Sequence, residues 1–274
     1  MDNRPIGVFD SGLGGLTGVR QLRKILPHED IVYFGDTGRV PYGSRSPETI
    51  IQYAQQDINF LLSKNVKFIM AACGTVSSTY PLDRAANLPV PYTGVVGSTV
   101  RAAEAATRNR KVGVIGTAAT IRSGSYDSLL RQLVPGVEIH KQACPLFVPL
   151  VENGMVGMDE EITRLAVAKY LGGIRDAGVD TLILGCTHYP LLTEQIRAFM
   201  GPEVALIDPG KVTAIAMKEA LQALELLADP AKEQGSAEFY VSDTVEAFSA
   251  SADLFLGQYA GGKVERVAIE TYCG

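Results

Sequence analysis

The sequence predicts an α/β fold of two similar domains, each with a mainly parallel sheet flanked by helices. Three observations carry this. Short β-rich apolar runs alternate with helical stretches along the whole chain, the pattern of βαβ units. The runs lack period-two alternation, as strands covered on both faces should. Two features recur at nearly equal offset. Ile6-Gly7-Val8-Phe9-Asp10-Ser11-Gly12 is echoed from Val112, 106 residues on, and the strand ending at Cys73 is echoed by the one ending at Cys186, 113 residues on.

The elements follow in order. A first strand at 6–9 is closed by Asp10-Ser11-Gly12, and Gly12-Leu13-Gly14-Gly15 opens a helix over 15–25. A second strand at 31–34 ends in Gly35-Asp36-Thr37; the turn Pro41-Tyr42-Gly43 leads to a helix over 47–63. The strand at 67–71 runs into Cys73, and a strand at 93–96 precedes a helix over 98–108. The echo begins with a strand at 111–115, followed by Thr117 and Thr120, then a helix over 126–133 and a strand at 137–140. A helix over 158–177, a strand at 181–184 ending at Cys186, a helix over 191–200 and a strand at 204–207 complete it. The remainder reads as a helix over 211–227, a strand at 238–241, a helix over 244–256 and a strand at 264–267. The expected division is 1–97 plus 210–274 against 98–209, with crossings near Gly97–Ser98 and Asp208-Pro209-Gly210.

Composition excludes several classes. The 274 residues are 46% hydrophobic and 20% charged, which rules out a disordered chain. A net charge of −5 offers no general attraction to nucleic acid or to an anionic membrane. The longest apolar runs are strand-length, far below the ~20 residues of a membrane span. Met1-Asp2-Asn3-Arg4-Pro5 lacks the basic start and apolar stretch of a signal peptide, so a cytoplasmic location is expected. The four cysteines form no CxxC pair and only three histidines are present, so no metal site is expected and the cysteines read as thiols.

In open α/β sheets, ligands bind beyond the carboxyl ends of the strands. Asp10-Ser11, Asp36-Thr37, Cys73, Thr117 with Thr120, and Cys186 all fall at such ends. Two cysteines in equivalent strand-end places are informative, since structural cysteines more often sit within a strand or on a buried helix face. Between a strand end and a following helix, exposed N–H groups favour thiolate and lower a Cys pKa from ~8.5 toward neutrality. His188, two residues past Cys186, is placed to assist it; Asp10 and Glu152 are further candidate partners. A lone Asp in a turn is more often a cap than a catalyst. Cys144, next to Pro145, reads as a small buried hydrophobe and Cys273 as a frayed end. The spacing of Gly12, Gly14 and Gly18 fits a dinucleotide loop poorly. Such a turn alternatively exposes backbone N–H groups to a carboxylate. Tyr42 reads equally as a substrate contact or a rim aromatic.

Taken together, these residues resemble the glutamate racemase family. Val8-Phe9-Asp10-Ser11-Gly12-Leu13-Gly14-Gly15, Gly35-Asp36-Thr37, Val40-Pro41-Tyr42-Gly43, Ala72-Cys73-x-Thr75 and Leu184-Gly185-Cys186-Thr187-His188-Tyr189-Pro190-Leu191 carry the resemblance across essentially the whole chain. The resemblance implies a cofactor-independent racemase with its active site in the cleft between two domains, each contributing one catalytic cysteine, here Cys73 and Cys186. It implies that Asp10, Glu152 and His188 lie close to the thiols. It implies further that Asp10, Ser11, Tyr42, Gly43, Gly74, Thr75, Thr117, Thr120, Thr187 and His188 contact substrate. It also implies glutamate as the small-molecule substrate, D-glutamate supply for peptidoglycan, a homodimer, and no metal, nucleic-acid or membrane partner.

One position departs from the family pattern. Gly74 stands where the family usually has Asn, whose amide reaches the bound amino acid. Losing a hydrogen bond to a charged ligand costs on the order of 1.5–3 kcal/mol unless water or another group replaces it. The alternatives are therefore a racemase of another acidic amino acid such as aspartate, or a noncatalytic glutamate-binding protein. A thiol-dependent transferase or hydrolase would not explain paired cysteines.

Overall fold

The computed structural model describes residues 1–257 and 262–273. Among them are ten strands: β1 Ile6–Asp10, β2 Ile31–Gly35, β3 Phe68–Ala71, β4 Tyr92–Gly94, β5 Lys111–Gly116, β6 Glu138–Ala143, β7 Thr181–Gly185, β8 Ala205–Ile207, β9 Ala237–Val241 and β10 Val264–Arg266. They form two sheets. The larger has the order β10-β9-β2-β1-β3-β4 and the smaller the order β6-β5-β7-β8. Every pairing in both is parallel. The central strands β1, β2, β3 and β7 are buried at every residue, as strands covered by helices on both faces must be. The two echoed strands within each sheet are neighbours, since β1 pairs with β3 in one sheet and β5 with β7 in the other.

Local chemistry sets the helix starts. Ser46 caps the helix Pro47–Ser63 by accepting from the Thr49 N–H at 3.3 Å, and Pro47 occupies the first turn, where its missing N–H costs nothing. Asp208 caps the helix Pro209–Ala223 by accepting from Gly210 N at 2.9 Å and Lys211 N at 3.3 Å. Thr117 caps the helix Ala118–Ser123, which Gly124 ends in the left-handed region at φ 69°.

Some boundaries differ from the sequence reading. Val95 and Val96 belong not to a strand but to the helix Val95–Ala106, where Ser77 Oγ accepts from Val95 N at 3.0 Å. Their β-branching suggested a strand, and packing overrides that weak preference. Gly97 and Ser98 accordingly lie inside a helix. The helix expected from 158 begins at Glu161, and the one expected to reach 227 ends at Ala223. Strand β6 runs three residues beyond its expected end. The short helices Gly74–Ser77, Leu82–Ala86, Ala118–Ser123 and Phe147–Glu152 carry too few residues for a periodic signal.

The helices Val95–Ala106 and Pro209–Ala223 lead the chain from one sheet to the other and back. They pack on each other, and Ser98 Oγ and Thr213 Oγ1 are hydrogen-bonded at 2.6 Å. No helix among the described residues is long and apolar enough to cross a membrane.

Candidate active site

The carboxyl ends of the two sheets meet around one cavity of about 400 Å³. The larger sheet contributes Ser11 after β1, Tyr42 and Gly43 from the turn after β2, and Cys73, Gly74 and Thr75 after β3. The smaller sheet contributes Thr117 after β5, Glu152 at the end of Phe147–Glu152, and Cys186, Thr187 and His188 after β7. The structure thus gathers both strand-end cysteines and nine further sequence-predicted residues at one site. Asp10 and Thr120 do not line the cavity. Both are buried behind its wall, Asp10 beside Cys73 and His188, and Thr120 with its hydroxyl 3.1 Å from that of Thr117.

The surroundings of the two thiols differ. Cys73 donates to Ser11 Oγ at 3.4 Å. Burial, followed by the charge of Asp10, pushes its thiol up to about 12, against the Ser11 and Val76 hydrogen bonds. This reverses the sequence expectation of a lowered value. The helix after Cys73 is only four residues long, too short to offset desolvation and a neighbouring carboxylate. Asp10 itself is raised by burial, against the pull of His188 and of the Gly15 and Gly12 amides. Its Oδ2 accepts from Gly12 N at 3.1 Å, and its Oδ1 is buried with no hydrogen-bond partner.

On the other side, Cys186 Sγ lies 3.8 Å from His188 Nδ1, and His188 Nε2 lies 3.1 Å from Glu152 Oε1. Burial opposes charge on the imidazole, but Cys186, Glu152 and Asp10 outweigh it and hold the His188 pKa up to about 10. The raised value favours the protonated imidazole, 3.8 Å from the Cys186 sulfur.

Tyr42 is held from behind. Its hydroxyl donates to Asp36, and also to Asp57 Oδ2 at 3.2 Å. Arg39 Nε reaches Asp36 Oδ2 at 2.6 Å, and Arg39 Nη2 reaches Asp57 Oδ1 at 3.3 Å. Asp36 thus serves the site indirectly, through Tyr42.

The two halves touch closely around the cavity. Thr75 Oγ1 and Thr117 Oγ1 are 3.0 Å apart, and Thr17 Oγ1 donates to the Thr187 carbonyl at 2.9 Å. Gly14 admits the Thr187 and His188 side chains to a space that a Cβ would fill. The glycine-rich loop is therefore a seat for the opposite half, where the sequence suggested a carboxylate cradle.

Sequence reasoning missed Cys144, Pro145, Val148 and Pro149 in the wall. Cys144 is buried, as expected, but it follows the true end of β6 and so shares the strand-end address of the other two cysteines. No three His, Cys, Asp or Glu side chains converge to hold a metal ion among the described residues.

Residues 18–217 match the model of a family described as Asp/Glu/Hydantoin racemase. The chain is 45% identical over 267 residues to a glutamate racemase of Geobacter metallireducens, covering 97% of each chain. Among solved structures, it resembles a glutamate racemase of Francisella tularensis in complex with D-glutamate, with a TM-score of 0.90 and 37% identity over 99% of this chain and 100% of that one. It also resembles a glutamate racemase of Thermus thermophilus in complex with β-chloro-D-alanine, with a TM-score of 0.87 and 43% identity over 98% and 99% of the two chains. The chain is a racemase that belongs to the Asp/Glu/Hydantoin racemase family, and its relatives at this level of similarity are glutamate racemases.

Proposed function

We propose that the protein interconverts L- and D-glutamate without a cofactor, with Cys73 and Cys186 acting on opposite faces of the α-carbon. The observation that carries this reading is that one cysteine from each sheet lines the same cavity, beside neighbours of opposite charge. In the L direction, the Cys186 thiolate takes the α-proton and becomes a thiol. Cys73 delivers its proton to the opposite face and becomes a thiolate. The D direction runs the same transfers backwards. Between the transfers the substrate carries negative charge, which preorganised donors must stabilise. The hydroxyls of Ser11, Thr75 and Thr187 and the amides of Gly43 and Gly74 are available for this. The cavity volume falls within the range of small-molecule sites, roughly 300–1,000 Å³, and the D-glutamate complex of the Francisella tularensis relative supports the substrate.

The domain division 1–97 plus 210–274 against 98–209 is part of this reading, supported by the strand membership of the two sheets. So are a homodimer, a cytoplasmic location and a supply of D-glutamate to peptidoglycan, which rest on the family resemblance. The test is deuterium incorporation at Cα of both glutamate enantiomers in deuterium oxide, without added cofactor or metal, with aspartate in parallel. Exchange and interconversion of both glutamate enantiomers are expected. Binding without exchange would make the protein a glutamate-binding protein, and faster exchange of aspartate would change the substrate.

A further inference from the structure

We propose that Gly74 sets how closely the two halves of the cleft approach at the thiols. The absence of a side chain there lets the turn carrying Cys73 lie directly against the carbonyl that precedes Cys186. This rests on the two-thiol reading above and goes beyond it, by naming the residue that fixes the spacing.

A Cβ built on Gly74 would lie 2.6 Å from the Gly185 carbonyl oxygen and 3.4 Å from its carbon. Both are backbone atoms, so no side-chain rotation relieves the clash. Gly185 is also backed by rigid structure. A Cβ on Gly185 would lie 2.6 Å from the Ile115 carbonyl oxygen and 3.4 Å from the Tyr126 ring, and β7 is paired to β5 through Gly185↔Gly116. On the other side, Gly74 is buried between Cys73 and Thr75, and Thr75 is tied across the cleft to Thr117.

A comparison with another glycine at the junction sharpens the point. A Cβ on Gly43 would lie 3.1 Å from Thr117 Cβ, a tight contact but not a clash of the kind that 2.6 Å makes. Among the glycines of the described residues, Gly74 is the one beside the cysteines whose Cβ would meet backbone of the opposite half. In this packing a Cβ at 74 asks the facing backbone to give by about 0.4 Å, from 2.6 Å to the 3.0 Å limit of real Cβ contacts, and by about 0.8 Å to reach ordinary contact at 3.4 Å. A misplacement near 1 Å at a reacting centre costs on the order of 10²-fold in rate. The missing side chain at 74 is thus coupled to a closer approach of the Cys73 turn to the Gly185 carbonyl.

The experiment compares Gly74→Ala and Gly74→Asn with the parent enzyme, measuring kcat and KM for both glutamate enantiomers and amide hydrogen exchange over 181–192. Exchange over 47–63, remote from the junction, reports that the variants are folded. The expected result is a fall in kcat of about 10- to 10²-fold in both variants and both directions. KM should change less, and amides at 185–188 should exchange faster. Gly74→Asn is the decisive variant, because it restores an amide that could reach the ligand. If it lowers KM and keeps kcat within about twofold, position 74 acts through ligand contact and the proposal is overturned. Unchanged exchange at 185–188 overturns it as well. A parent enzyme without glutamate racemisation would sink the two-thiol reading instead, and the exchange measurement would still decide the question of spacing.

Discussion

Cys73 and Cys186 occupy matching places in the two sheets, yet the groups around them are opposite. Each follows the strand paired to the first strand of its sheet, β3 beside β1 and β7 beside β5. Cys73 faces a carboxylate, Asp10, and its thiol is pushed up to about 12. Cys186 faces an imidazole tied to Glu152, with the His188 pKa held up to about 10. The duplicated topology supplies two equivalent addresses, and the neighbouring side chains give each a different electrostatic setting. On the two-thiol reading, one acid and one base must be held at the same pH, and that difference in setting serves it.

The largest test of the comparison is removal of either sulfur. Cys73→Ala and Cys186→Ala should each abolish interconversion, a loss of at least about 10²–10⁴-fold. Deuterium incorporation should discriminate the faces, with Cys186→Ala losing exchange into L-glutamate and Cys73→Ala into D-glutamate. Cys→Ser at either place should leave at most a trace. Near-normal interconversion by one of the Ala variants would break the pairing.

The cation beside Cys186 should matter less than the sulfur. His188→Gln should slow exchange from L-glutamate by roughly 10- to 10²-fold, and from D-glutamate by less. The same residue makes a prediction about stability. A histidine whose pKa rises from 6.5 to about 10 on folding holds its proton more tightly in the folded state. Its stabilisation is complete below about pH 6.5 and is lost as pH rises through about 10. The unfolding midpoint should therefore decline across that window, and His188→Gln should flatten the decline.

Asp10→Asn addresses the other sulfur more gently. Removing the carboxylate charge should move the onset of Cys73 alkylation to lower pH, read in a Cys186→Ala background. The onset should stay above the ordinary thiol range, because burial is the larger cause. The smallest effect is expected at Tyr42→Phe, which removes the hydroxyl donated to Asp36 and Asp57. Leaving those buried carboxylates short of a donor should cost about 1–3 kcal/mol, read as a lower unfolding midpoint.

Much of this contrast was legible in the sequence. The ten strands left apolar runs, and the strand-end rule located both cysteines, Ser11 and Thr117. The edge strand β6 was read three residues short because Lys141 and Gln142 are polar, and that hid Cys144 as a third strand-end cysteine. The raised thiol of Cys73 was not legible either. The residue order suggested a helix start that favours thiolate, whereas the outcome depends on burial and on Asp10, which is 63 residues away in the chain. Asp10 and Thr120 were expected at the substrate, but the chain turns them behind the wall. Whether a strand-end side chain faces the cleft or the layer beneath it depends on the local turn, and residue type alone does not report it.

The paired helices Val95–Ala106 and Pro209–Ala223 give the molecule two tethers lying side by side. A single linker would let one half swivel freely against the other. Two bound linkers leave mainly one axis of rotation, as on a door hung from two hinges. Any relative movement of the two sheets should then follow much the same arc, which would keep the two sulfurs in register.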